Sequence, residues 1–220
     1  MTFYINIEQY RNEIFRSKID IIKILLIIFS SGFVDRQKKE GDMTVEIFCD
    51  DTSNRIIMYK TLDHIQTMYS PFILKKEEYE YSIHLDNALF SKKIDAGDIS
   101  FLKAFFNTVN DRDSDYAAFY CNFIDLCNEY NFNDSINQYW NLIFYLLDYD
   151  TCYFRFDNDS RNEKLINHRI HPRYHLDTSF CPMASYKIGL YKELYIDEIK
   201  DFVDKTTDSF YIEKESLNDD

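Results

Sequence analysis

Apolar positions along this chain change period several times, and each change predicts an element. Between residues 7 and 33, Ile14, Ile21, Leu25 and Ile28 recur at helical spacing, predicting one or two helices, with Gly32 suited to the C-terminal end. A polar connection over 35–42 follows. Residues 45–49 and 55–59 then read as two short strands, joined by the turn-forming run Asp50-Asp51-Thr52-Ser53-Asn54. Residues 79–85 read as another strand and 99–107 as a short helix. From 116 to 130, Tyr116, Phe119, Tyr120, Phe123, Ile124 and Cys127 form a helical stripe; Asp134 or Ser135 then caps a second helix through Trp140 and Leu147. A strand-rich section spans 151–190, and Leu194, Ile196, Ile199, Phe202 and Val203 mark a closing amphipathic helix.

The order helical, strand, helical, strand, helix points to an α+β fold and not to a regular βαβ alternation. It implies an antiparallel or mixed sheet. No repeat, low-complexity linker or composition break divides the chain, so residues 1–220 read as one domain. Within it, 1–34 is an N-terminal helical element, and 151–207 holds the last strands and the closing helix.

Composition removes several function classes. Of 220 residues 17% are aromatic, while only 4 are Gly and 3 Pro, and no Gly-rich phosphate loop or dinucleotide fingerprint occurs. A net charge of −13 excludes a general nucleic-acid coat, which needs a basic surface. Cys49, Cys121, Cys127, Cys152 and Cys181 are odd in number and scattered, which predicts reduced thiols in place of disulfides or structural zinc. The longest apolar run, 21–29, contains Lys23 and falls short of the roughly 20 residues of a membrane span. Glu8, Glu13 and Asp20 spoil a basic leader before it, so it reads as a buried helix and the protein as cytoplasmic, with no membrane partner.

One segment breaks the acidic pattern. Residues 151–192 carry seven basic side chains against four acidic ones, a local charge of +3, and three of the five histidines, His168, His171 and His175. In extended strands alternate side chains share a face. Around Phe154 this groups Tyr153, Arg155 and Asp157, opposite Cys152, Phe154 and Phe156. In the next run it groups His171, Arg173, His175 and Asp177, opposite Tyr174 and Leu176, with Pro172 confining that strand to its start or to a sheet edge. In the third, Lys187 faces away from Tyr186, Ile188 and Leu190. Paired in one sheet, the three runs gather Arg155, Asp157, His171, Arg173, His175, Asp177 and Lys187 on one surface.

Three chemistries can use such a group. Two histidines can exchange protons around a phosphodiester while Arg and Lys stabilise developing charge. His171, His175 and Asp177 can ligate a divalent metal, although their spacing is no recognised zinc signature. Arg155 and Arg173 can grip an anionic ligand or a partner's carboxylates. The plain alternative is that Arg155–Asp157 and Arg173–Asp177 are ion pairs on a solvated face. Elsewhere, His84 and Asp86 echo the His175-Leu176-Asp177 arrangement, and His64 reads as a surface turn or helix end. A Cys–His nucleophile from Cys152 or Cys181 with His175 has no sign of a lowered thiol pKa behind it.

The runs Tyr153-Phe154-Arg155-Phe156-Asp157, His171-Pro172-Arg173-Tyr174-His175-Leu176-Asp177, Tyr186-Lys187-Ile188-Gly189-Leu190 and Ile199-Lys200-Asp201-Phe202-Val203 resemble an uncharacterised family of bacterial proteins. That family shares a Phe-Arg-Phe-Asp strand, a His-Pro-x-x-His-Leu run and a closing helix; this chain has Lys187-Ile188-Gly189 where Arg-Ile-Pro is usual. Arg155-Phe156-Asp157-Asn158 followed by His168 to His175 also resembles, more loosely, small ribonuclease toxins of toxin–antitoxin pairs. The first resemblance implies a bacterial origin and a setting among mobile-element or phage-defence genes. The second implies RNA cleavage.

Two functions follow as expectations. The first is processing of RNA or DNA at the local basic patch: His171 and His175 exchange protons, Arg155, Arg173 and Lys187 hold phosphate, and Asp157 or Asp177 orients a histidine. The second is a non-catalytic component of a defence or regulatory assembly, whose acidic surface meets a basic protein partner. The sequence names no cofactor and no metal ligand set.

Overall fold

The apolar stretch near the N-terminus folds as a helix, α1 (Lys18–Ser30), buried around most of its circumference. A capping box fixes its start: the Ser17 hydroxyl accepts from the Asp20 amide at 3.2 Å, and the Asp20 carboxylate accepts from the Ser17 amide at 3.1 Å. Ile21, Ile22, Leu25, Ile28 and Phe29 are among its buried side chains, each stabilising the fold by about 1.5–3 kcal/mol on leaving water. The computed structural model describes residues 1–5, 15, 17–33, 37–40, 42–49, 54–59, 63–78, 80–85, 93–109, 115–159, 172–178, 187–204 and 207. Among them, no helix is long and apolar enough to cross a membrane.

The strands in chain order are β1 (Thr2–Ile5), β2 (Met43–Cys49), β3 (Asn54–Tyr59), β4 (His64–Ser70), β5 (Phe72–Lys76), β6 (Tyr81–Leu85), β7 (Phe154–Asn158), β8 (Tyr174–Asp177) and β9 (Lys187–Gly189). Seven of them make one sheet in the order β1-β2-β3-β4-β7-β8-β9, with every neighbouring pair antiparallel; β5 and β6 form a separate hairpin. Between β4 and β7 the chain leaves the sheet for that hairpin and for α2 (Ala96–Thr108), α3 (Tyr116–Glu129) and α4 (Ile136–Asp148). It returns beside the strand it left, and α5 (Ile196–Val203) follows β9. The architecture is α+β.

Pleating gives the sheet two faces. Phe3, Val45, Ile47, Ile56, Met58 and Met68 lie on one, in a single core with the apolar sides of α1 to α4. Ile57, Ile65, Phe156 and Leu176 lie on the other, under Ile199 of α5.

Three differences from the sequence expectation have local causes. The N-terminal element is not purely helical, because β1 precedes α1 and pairs with β2. Strand β4 occupies a segment without visible alternation: His64, Gln66, Met68 and Ser70 face one way and Ile65, Thr67 and Tyr69 the other, so each side mixes polar and apolar groups. A strand covered on both faces loses its period-two signal. Finally, Ser135 stands at the N-cap of α4, but no side chain caps the helix; a 3-10 turn, Asn133–Ser135, leads into it.

Candidate functional site

Strand register builds the site. Asp157 faces His64 on one side and His175 on the other; Arg155 stands opposite Asp177, and Asp177 opposite Lys187. Alternation then directs Arg155, Asp157, His175, Asp177 and Lys187 to one face, the face that carries the helix-covered core. The sheet thus places charged side chains at the end of an apolar layer, beside Tyr153, whose ring packs edge-on against Phe15 at 5.8 Å.

Burial there demands partners, and Arg155 supplies them. Its Nε donates to both Asp157 oxygens at 2.9 and 2.8 Å, and its Nη2 donates across the strands to Asp177 Oδ2. Residue exposures are 8% for Arg155, 7% for Asp157, 0% for His175 and 4% for Asp177, so this is an interior ion network. Burial pushes the Asp157 carboxyl up, but hydrogen bonds from His175 and His64 and the Arg155 charge outweigh it and hold the carboxyl well below the usual range. Burial likewise works to lower the Arg155 pKa, and the Asp157 charge reverses this to a net rise.

The histidines differ in kind. His175 Nδ1 lies 2.9 Å from the Pro172 carbonyl, which can only accept, so Nδ1 carries the proton. Its Nε2 points inward, 3.3 Å from Asp157 Oδ2, 3.1 Å from Lys187 Nζ and 3.9 Å from Asp177 Oδ1. His64 sits at the rim with its side chain 51% exposed, and donates Nδ1–H to Asp157 Oδ1 at 2.8 Å. That hydrogen bond raises its pKa against partial burial.

Five of the seven expected residues therefore come together: Arg155, Asp157, His175, Asp177 and Lys187. Arg173 does not join them. It is exposed; its Nε donates to Asn158 Oδ1 at 3.3 Å and its guanidinium lies 5.1 Å from the Tyr174 ring centre. Strand β8 begins only at Tyr174, so alternation does not extend back to it. The expected Arg173–Asp177 pair is replaced by Arg155–Asp177. His171 lies outside the described residues, as do His168, Cys181, Asp86 and Tyr186. His84 stands on β6 beside the Ser82 hydroxyl at 3.0 Å. Cys152, expected on a buried strand face, precedes β7 at a φ of 41° and is half-buried.

His64 is the member that sequence reasoning missed; it opens β4 and is not a turn or helix end. A second feature also escaped notice. Between residues 115 and 150 there is no Lys, Arg or His, while all six acidic residues, Asp115, Asp125, Glu129, Asp134, Asp148 and Asp150, are exposed. On this α3/α4 surface Tyr116, Tyr120 and Phe144 are 65%, 42% and 43% exposed. Their rings surround half-buried Trp140, with centres 6.3, 5.1 and 4.9 Å from it. The charge gap is legible in the sequence; which aromatics remain outside the core is not.

Comparison with protein-family models, with curated proteins and with solved structures finds no match.

Proposed function

We propose that this protein is a non-catalytic interaction component that docks a basic segment of a partner protein on its α3/α4 face. The observation carrying this reading is the exposed ring cluster around Trp140, on a stretch, residues 115–150, whose six carboxylates are all exposed and which contains no Lys, Arg or His. Clustered exposed aromatics mark interaction sites. Acidic surroundings select a cationic partner and repel nucleic acid, and Lys or Arg gains further by lying over aromatic rings. The bacterial defence or regulatory setting implied by the resemblance belongs to the same proposal. The buried Arg155 network supports it indirectly, because its carboxylates are engaged in holding strands together.

Trp140 is the only tryptophan, so its fluorescence reports on this face alone. Titration with an arginine-rich decapeptide should change that signal in a salt-sensitive manner, and a glutamate decapeptide should not. Tyr120→Ala with Phe144→Ala should weaken binding about tenfold or more. Binding that ignores the double substitution would refute the reading.

A second reading, processing of RNA or DNA at the sheet face, draws on one observation: exposed His64, oriented through Nδ1 by buried Asp157. In this reading its outer nitrogen is the proton carrier. Incubation with RNA and DNA, with and without divalent metal, tests it. Cleavage must appear and must vanish in His64→Ala.

A further inference from the structure

We propose that Asp157, His175 and Asp177 form a binding site for one divalent first-row metal ion, and that the Lys187 ammonium holds the ion's place in its absence.

Asp177 provides the first reason. Its Oδ1 is fully buried and accepts no hydrogen bond, although the other oxygen is held by Arg155. A buried carboxylate oxygen without a hydrogen bond is costly, and a cation directed at it removes the cost. His175 provides the second. With its Nδ1 proton committed to the Pro172 carbonyl, the ring turns Nε2 inward to Asp157 and Asp177, where a metal would take the place of any proton on that nitrogen. Metal-binding histidines are oriented by this kind of hydrogen bond from the far nitrogen to a backbone carbonyl.

The spacing fits. One nitrogen and two carboxylate oxygens from these residues lie within 4.8 Å of one another. Two ligands about 2.1 Å from an ion in tetrahedral geometry are about 3.4 Å apart. His175 Nε2 is 3.3 Å from Asp157 Oδ2 and 3.9 Å from Asp177 Oδ1, so closure needs shifts of only a few tenths of an ångström on the His175 side. Arg155 need not leave: it gives up Asp157 Oδ2, which its Nε now holds at 2.8 Å, and keeps Asp157 Oδ1 and Asp177 Oδ2 as outer contacts. Lys187 must move. Its Nζ lies 3.1 Å from His175 Nε2 and 4.0 Å from Asp177 Oδ1, a cation against the same two atoms. Its side chain is 24% exposed, so the four-carbon stem has a route to solvent. Two carboxylates and one imidazole suit Mn²⁺, Fe²⁺ or Zn²⁺ better than thiolate-seeking Cu⁺.

The test is calorimetric titration of chelator-treated full-length protein with Zn²⁺ and Mn²⁺, with Co²⁺ absorption reporting the ligand set. One ion should bind per chain. Lys187→Ala should tighten binding about tenfold or more, because it removes a competing charge. Asp177→Asn should weaken it about a hundredfold. Absence of binding by all three ions, or unchanged affinity in Lys187→Ala, overturns the proposal; so does unchanged affinity in a folded Asp177→Asn protein. If Asp177→Asn fails to fold, the partly exposed Lys187 variant decides alone.

Discussion

Arg155 and Asp177 face each other across the β7–β8 seam, and the arginine donates to Asp177 while holding Asp157 on its own strand. One guanidinium thus bridges two buried carboxylates that stand two strand positions apart in the register. A planar fork can do this and a point charge cannot. Arg155→Met should therefore cost about 3–5 kcal/mol in urea unfolding, since it strands buried charge. Arg155→Lys should recover only part of the loss. A cost below about 1 kcal/mol would mean that water or Lys187 compensates the carboxylates.

Two histidines should give stability opposite pH slopes. Through its bond to Asp157, His64 has a folded pKa above the unfolded value of about 6.5. Its contribution is complete below that value and is lost as pH rises through the folded pKa. His84 is shifted down, chiefly by burial and then by Lys75 and Lys93 against Glu77. Its neutral form is favoured on folding, so its contribution is present above about 6.5 and is lost as pH falls below it. Melting temperatures of His64→Gln and His84→Gln against the unaltered metal-free protein, between about pH 5.5 and 8.5, should diverge at opposite ends of the range. Parallel curves would refute both assignments.

Thiol chemistry should separate Cys121 from Cys127. Both lie on α3, but Cys121 is exposed while burial pushes the Cys127 thiol up to about 11. Alkylation of the native protein at mildly alkaline pH, followed by peptide mass spectrometry, should label Cys121 and spare Cys127 until denaturant is added. Equal labelling would show that α3 opens readily.

Tyr139 ties α4 to α2 by donating its hydroxyl proton to Asp98, a fully buried residue in the α2 capping box, while its ring stacks on Phe132 at 4.3 Å. Tyr139→Phe keeps the stack and removes the donor. It should cost about 1–3 kcal/mol. A neutral outcome in thermal unfolding would mean that water replaces the hydroxyl.

Period-two alternation carried the prediction for β7, β8 and β9 because each has one polar and one apolar face; the sequence alone groups Arg155, Asp157, His175, Asp177 and Lys187. The same rule failed at Arg173, where the strand had not begun. It was blind to His64, whose strand mixes polar and apolar groups on both sides. Burial was also out of reach: alternation shows that side chains share a face, not that this face adjoins the main core. Helices α2 to α5 were legible from their stripes, with ends displaced by a few residues.

Strands β4 and β7 are neighbours in space, yet residues 71–153 separate them. Closing a loop of that length costs about 2.5 kcal/mol more entropy than closing a five-residue turn. During synthesis, β2, β3 and β4 can pair while the ribosome is still making the helices, but β7 cannot yet exist. Until it does, β4 is an open sheet edge bearing Ile65, Met68 and Tyr69, the kind of edge that recruits another chain. Asp157 and Arg155 arrive with β7, so the charged seam is also the late closure that ends this exposure. Slowed closure should show first as aggregation of newly made chains, before any loss of stability in those that finish.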